Sequence, residues 1–167
     1  DPALIGAIAL GSLIFSFIFW GFSFLRMGTT GLIAQSAGSD DHTEVQSTLY
    51  RAMLLAIGIG ALLTLLQLPI LKLALSLIEG SEAVESAAET YFSIRIWVAP
   101  ASLIHLVTLG YLLGQQKSAA VLGLQLLLNG TNIALDFLFV VGFGWGVSGV
   151  AAATAIAELL AATLGLV

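Results

Sequence analysis

The chain has 167 residues, 59% of them hydrophobic and 9% charged, with a formal net charge of −5 and no cysteine. Soluble domains carry roughly 25% charged residues. Five Lys/Arg, ten Asp/Glu and two His cannot cover a water-facing surface, so the composition excludes a soluble enzyme and a disordered chain and points to an integral membrane protein.

Disulfides, thiolate metal sites and cysteine nucleophiles are excluded as well, and the acidic balance argues against nucleic-acid binding. Stretches free of Asp, Glu, Lys and Arg run over 3–25, 52–71, 96–116, 118–135 and 137–157. About 20 apolar residues carry a helix across a bilayer, and these stretches lack the alternation of barrel strands. The expected fold class is therefore an all-α membrane protein, a polytopic helical bundle. It forms a single region over 1–167 with about five spans at 3–37, 48–78, 88–114, 118–141 and 146–167.

The first span is apolar to residue 25 and continues, less apolar, to 37. The loop after it holds Asp40, Asp41, His42 and Glu44. A single histidine among contiguous acids is a poor ligand set, so a solvated loop is expected there rather than a metal site. Pro69 should kink the second span and Pro100 the third. The second loop is acidic, with Glu79, Glu82, Glu85 and Glu89. His105, in the third span, is either a proton relay or a buried, hydrogen-bonded histidine. Arg26, Arg51 and Lys117 flank the first and third loops, which places these on the cytoplasmic side. Lys72 and Arg95 lie nearer the second loop.

The fourth span reads VLGLQLLLNGTNIALDFLFVV. At 100° per residue, Gln125, Asn129, Asn132 and Asp136 fall within about 60° of arc over roughly 16 Å of axis. A charge near the bilayer centre costs at least ~2.5–3.5 kcal/mol. Such a stripe is either a cation or proton site lining a cavity or polar glue between helices. In the fifth span Gly149, Ala153 and Ala157 form a small-residue ridge that admits a close neighbour, while Thr154 and Glu158 lie one turn apart on one side. Glu158 is a second cavity-lining candidate or a satisfied structural carboxylate. The chain opens at Asp1 directly into one span and closes at Val167 inside another, so a piece of a longer transmembrane protein is expected. Neither hydrolase, zincin nor phosphate-loop motifs occur, so no enzyme activity is expected.

Four segments occur in an order and spacing that resemble one family: LRMGTTGLIAQSAG (25–38), APASLIHLVTLGYLLGQQ (99–116), NGTNIALDFLFVVG (129–142) and WGVSGVAAATAIAELLA (145–161). Together they resemble the multidrug and toxic compound extrusion (MATE) family, in its DinF-like branch, over helices two to six of the amino-terminal lobe. The resemblance implies a two-lobed, multi-pass transporter of the bacterial inner membrane. Such a transporter exports lipophilic or cationic small molecules by antiport against protons or sodium ions, with alternating access. It implies lipid and the remaining helices of the transporter as partners, and no cofactor beyond the coupling ion. It also carries ion coupling onto Asp136, Asn132 and Thr154, with Asn129, Gln125 and Glu158 as further cavity residues. Two other readings stay open: a lipid-type flippase of the same superfamily, and a non-transporting membrane scaffold or channel piece.

Overall fold

The computed structural model describes residues 2–77 and 81–166, with side chains from residue 11 onward except that of Leu77. Glu79 lies outside the described residues. Helices α1 (Pro2–Gly21), α2 (Phe24–Gly38), α3 (His42–Leu65), α4 (Gln67–Leu77), α5 (Glu82–Arg95), α6 (Ala99–Gly114), α7 (Ser118–Asp136) and α8 (Gly146–Gly165) follow in order. A 3₁₀ turn at Ile96–Val98 joins α5 to α6, and a π-helical stretch at Phe137–Gly142 extends α7. No strand occurs among the described residues. Five helical stretches there are long and apolar enough to cross a membrane: Gly11–Gly38, His42–Leu65, Glu82–Gly114, Ser118–Gly142 and Gly146–Gly165. The all-helical, five-span architecture matches the composition.

Helix α3 starts before residue 48, at His42, because Asp41 caps it: its side chain accepts the Glu44 N–H at 3.0 Å. The acids of that loop thus begin a helix, and Glu44 goes on to pair with Arg51 at 3.0 Å. Among the described residues no group of three or more His, Cys, Asp or Glu could hold a metal ion.

The first three spans are interrupted, and each interruption has a local cause. Between α1 and α2, Phe22 and Ser23 follow Gly21, and the chain tightens through i→i−3 bonds from Phe22 N to Phe19 O and Ser23 N to Trp20 O. Gly/Ser steps are known kink sites. The second span breaks at Leu66, which leaves Pro69 in the first turn of α4, where its missing N–H costs nothing. Pro100 likewise occupies the first turn of α6 and cannot donate to Ile96 O. Thr64 of α3 donates its hydroxyl to that carbonyl at 3.0 Å. Gly60, one turn earlier, makes the approach possible: a Cβ there would lie 2.4 Å from Pro100 Cα.

The bent α5–α6 rod is the hub. Phe92, Ile96, Leu103 and Val107 are fully enclosed by α1, α3 and α8. Helix α2 lies along α6 so closely that a Cβ on Gly110 would meet Arg26 O at 2.6 Å. Helix α8 turns an alanine-rich side inward, with Gly149, Ala151, Ala153, Ala157 and Ala161 all buried. Helix α7 is the exception. It rests mainly on α8, and none of its residues is buried. Leu122, Leu126, Ile133 and Phe137 are exposed along it, a surface that suits lipid or further apolar helices rather than water.

Candidate functional site

Two polar centres interrupt the apolar interior, and both use α8. The first joins α7 to α8. Asn132 donates its side-chain N–H to Thr154 Oγ1 at 3.1 Å, and Thr154 in turn donates to Val150 O at 2.9 Å. Asp136 is one turn beyond Asn132 on the same face of α7. Its Oδ1 is buried and has no hydrogen-bond partner. A buried carboxylate oxygen without a donor is costly. Asp136 is also the last α-helical residue before the π-helical stretch. Such one-turn widenings recur at functional sites, where they re-aim the side chains around them. Here the stretch is braced by Phe143 N to Leu138 O at 3.0 Å and Trp145 N to Phe139 O at 2.9 Å, with Phe139 stacked on Trp145 at 5.0 Å.

The stripe divides in two. Asn132 and Asp136 are half-buried against α8, whereas Asn129 is exposed and folds its amide back onto Gln125 O at 2.9 Å. The Asn129 bond stays within α7 and ties no second helix. A helix resting on one neighbour presents only part of a 60° arc to it, which accounts for the split.

The second centre is built around Glu158, one turn from Thr154 on α8. Arg95 of α5 and Ser102 of α6 both donate to its carboxylate. Arg95 is 8% exposed. Its other arm donates to Tyr91 Oη at 3.0 Å, and its guanidinium lies over the Phe15 ring, 4.7 Å from the centroid. His105 follows Ser102 by three residues on α6, is 6% exposed, and has no partner for either ring nitrogen. A cavity of about 420 Å³ opens onto this centre, with Arg26, Arg95, His105 and Glu158 on its wall. From α7 the wall takes Leu128, so Gln125 and Asn129 lie off it.

The sequence leaves Glu158 as either a cavity-lining residue or a satisfied structural carboxylate, and in the structure it both lines the cavity and is bonded by Arg95 and Ser102. Sequence reasoning missed Arg95, which was read as a topology marker at a span end and is instead the buried partner of Glu158. Unlike charges set into separate apolar runs carry a signal for such a pair, since intramembrane charges tend to neutralise each other. The five Lys/Arg showed no cluster along the chain, yet Arg26 and Arg95 meet on one wall.

The family model MatE matches residues 1–138. The chain is 45% identical over 166 residues to DNA damage-inducible protein F of Escherichia coli (strain K12), covering 99% of this chain and 36% of that protein. A solved outward-facing conformation of a multidrug resistance MATE family transporter of the MOP superfamily superposes with a TM-score of 0.89 at 27% identity, covering 99% of this chain and 37% of that one. The inward-facing conformation of such a transporter gives 0.79 at 25% identity, covering 99% and 35%. The chain thus spans about a third of the length of the proteins it matches.

Proposed function

The chain belongs to the MatE family, and from that membership we propose that it forms part of a longer transporter of the bacterial inner membrane. This transporter exports lipophilic or cationic small molecules by antiport against protons or sodium ions. Asp136 is its coupling group in this lobe, held ready by Asn132 and Thr154. The observation that carries the reading is the unpartnered, buried Oδ1 of Asp136 beside a satisfied Asn132–Thr154 pair at a π-helical widening.

The chemistry follows from that arrangement. An ionised Asp136 attracts a proton or a small cation from a water-filled cavity. Binding neutralises the carboxylate and removes the cost of enclosing it. The packing of α7 on α8 that is stable with the charge then differs from the packing that is stable without it. Asn132 and Thr154 fix the carboxylate's setting by hydrogen bonds, and their oxygens can help to coordinate sodium. Likeness to both outward-facing and inward-facing transporters supports alternating access. A lipid-type flippase would want a basic cavity for an anionic headgroup. The presence of Arg26 and Arg95 on one wall favours it, but Glu158 neutralises Arg95, so the wall is not strongly basic.

The test is ion-driven drug efflux from proteoliposomes by the full-length transporter. Asp136→Asn keeps the shape and fixes the neutral state, and should lower coupled efflux on the order of tenfold or more while leaving folding intact. Asn132→Ala and Thr154→Ala should give partial losses. Coupled efflux at the wild-type level by Asp136→Asn would overturn the proposal.

A further inference from the structure

We propose that Glu158, held by Arg95 and Ser102 and faced by the unpartnered His105, is a second proton-exchange centre of this lobe: His105 takes up a proton from the cavity and competes with Arg95 for Glu158. The inference rests on the antiport reading and extends it to residues that reading does not use.

Three observations carry it. First, His105 is a buried imidazole whose two ring nitrogens both lack partners. A neutral ring has one donor and one acceptor to satisfy, a protonated ring two donors. Turning one donor towards Glu158 would end part of that deficit. Second, the geometry allows the turn. Ser102 and His105 are three residues apart on α6 and share a face, and Ser102 already touches the Glu158 carboxylate. A carboxylate offers about four acceptor positions, so Arg95 and Ser102 leave room for a third donor. Third, the cavity reaches His105, Glu158 and Arg95 together, so water can deliver the proton and take it back. No other bond forms or breaks.

The charged and titratable groups around His105 are few. Helix α8 brings Glu158, which shares the cavity wall with the ring. Helix α5 brings Arg95 and, through it, Tyr91. Helix α2 brings Arg26 to the same wall, while α1 and α7 bring Ser12, Ser16 and Leu128. The ion pair of α3, Glu44 with Arg51, lines a separate cavity. Among the described residues Glu158 is therefore the one anion on this wall, and a proton on His105 must answer to it.

The second centre is also connected to the first. Glu158 is one turn from Thr154 on α8, Thr154 is bonded to Asn132, and Asn132 is one turn from Asp136 on α7. A shift of Glu158 away from Arg95 loosens α8 from α5 and moves the same helix face that holds Thr154. Protonation at His105 thereby bears on the setting of Asp136.

The experiment uses the full-length transporter in two measurements. In nanodiscs, imidazole ¹⁵N shifts of His105, assigned by difference from a His105→Gln sample, are followed against pH. The ring shifts should report a protonation step as the pH falls, and Glu158→Gln should displace its midpoint. In proteoliposomes, His105→Asn should flatten or displace the pH profile of efflux while the melting temperature stays within a few degrees. A His105 that shows no protonation step while the transporter stays folded, or whose midpoint ignores Glu158→Gln, overturns the inference even if His105→Asn fails to fold. The antiport reading is judged separately by Asp136→Asn: its failure would leave the His105 titration to stand or fall alone.

Discussion

At the scale of single residues, the two acids of the carboxyl-terminal helices are opposites. Each oxygen of Glu158 accepts from a donor on another helix, whereas Asp136 has a buried oxygen with none. Such pairing predicts a structural penalty when one partner is removed. Glu158→Ala strands the Arg95 guanidinium in the interior and should cost about 3–5 kcal/mol. Replacing both at once, Arg95→Met with Glu158→Leu, should cost much less, because no uncompensated charge remains. Unfolding midpoints in detergent for the two variants check this, and equal losses would show that the pair is not the buried tie described. Asn132 and Asp136 stand out in the sequence because a polar stripe on an apolar helix is conspicuous, whereas Thr154 is singled out by its place one turn from Glu158 and by the family resemblance. Arg95 was not legible, since its partner lies on another helix and only the folded chain brings the two together.

At the scale of elements, the bends were readable where proline causes them and unreadable elsewhere. Pro69 and Pro100 announce their kinks, although the break before α4 falls at Leu66 and the tightening before α6 at Ile96–Val98. The bend at Phe22–Ser23 and the π-helical stretch after Asp136 carry no such marker. The α3–α6 crossing gives the sharpest element-scale prediction. Gly60 exists to admit Pro100, and Thr64 to satisfy the carbonyl that Pro100 abandons. Gly60→Leu should force the helices apart and lower stability by about 1–3 kcal/mol or more. Thr64→Val should cost roughly 1 kcal/mol by removing the hydroxyl's bond to Ile96 O and leaving that carbonyl the Ala99 N–H alone. Thermal unfolding of the purified transporter reads both, and a Gly60→Leu variant as stable as wild type would refute the crossing.

At the scale of the whole molecule, five spans were legible because a bilayer demands length and apolarity of each and the sequence states both openly. Helix starts were less so: α3 and α5 begin before the apolar runs do, since capping and acidic first turns extend a helix into its loop. Topology also changes in its support. Arg95 is buried, leaving Arg26, Arg51 and Lys117 as the cations that flank the first and third loops, with Lys72 opposite. The orientation is kept and predicts that Thr43→Cys is shielded from an impermeant thiol reagent in intact cells while Ser81→Cys reacts. Labelling at residue 43 from outside would reverse it. Helix α7 bears on the chain's own making. It carries Gln125, Asn129, Asn132 and Asp136, yet buries none of its residues. A newly synthesised α7 is therefore a poor candidate to partition into lipid alone, with Asp136 opposing the step by at least ~2.5–3.5 kcal/mol. It should wait beside the translocon until α8 emerges, so that the two helices enter the bilayer as a pair.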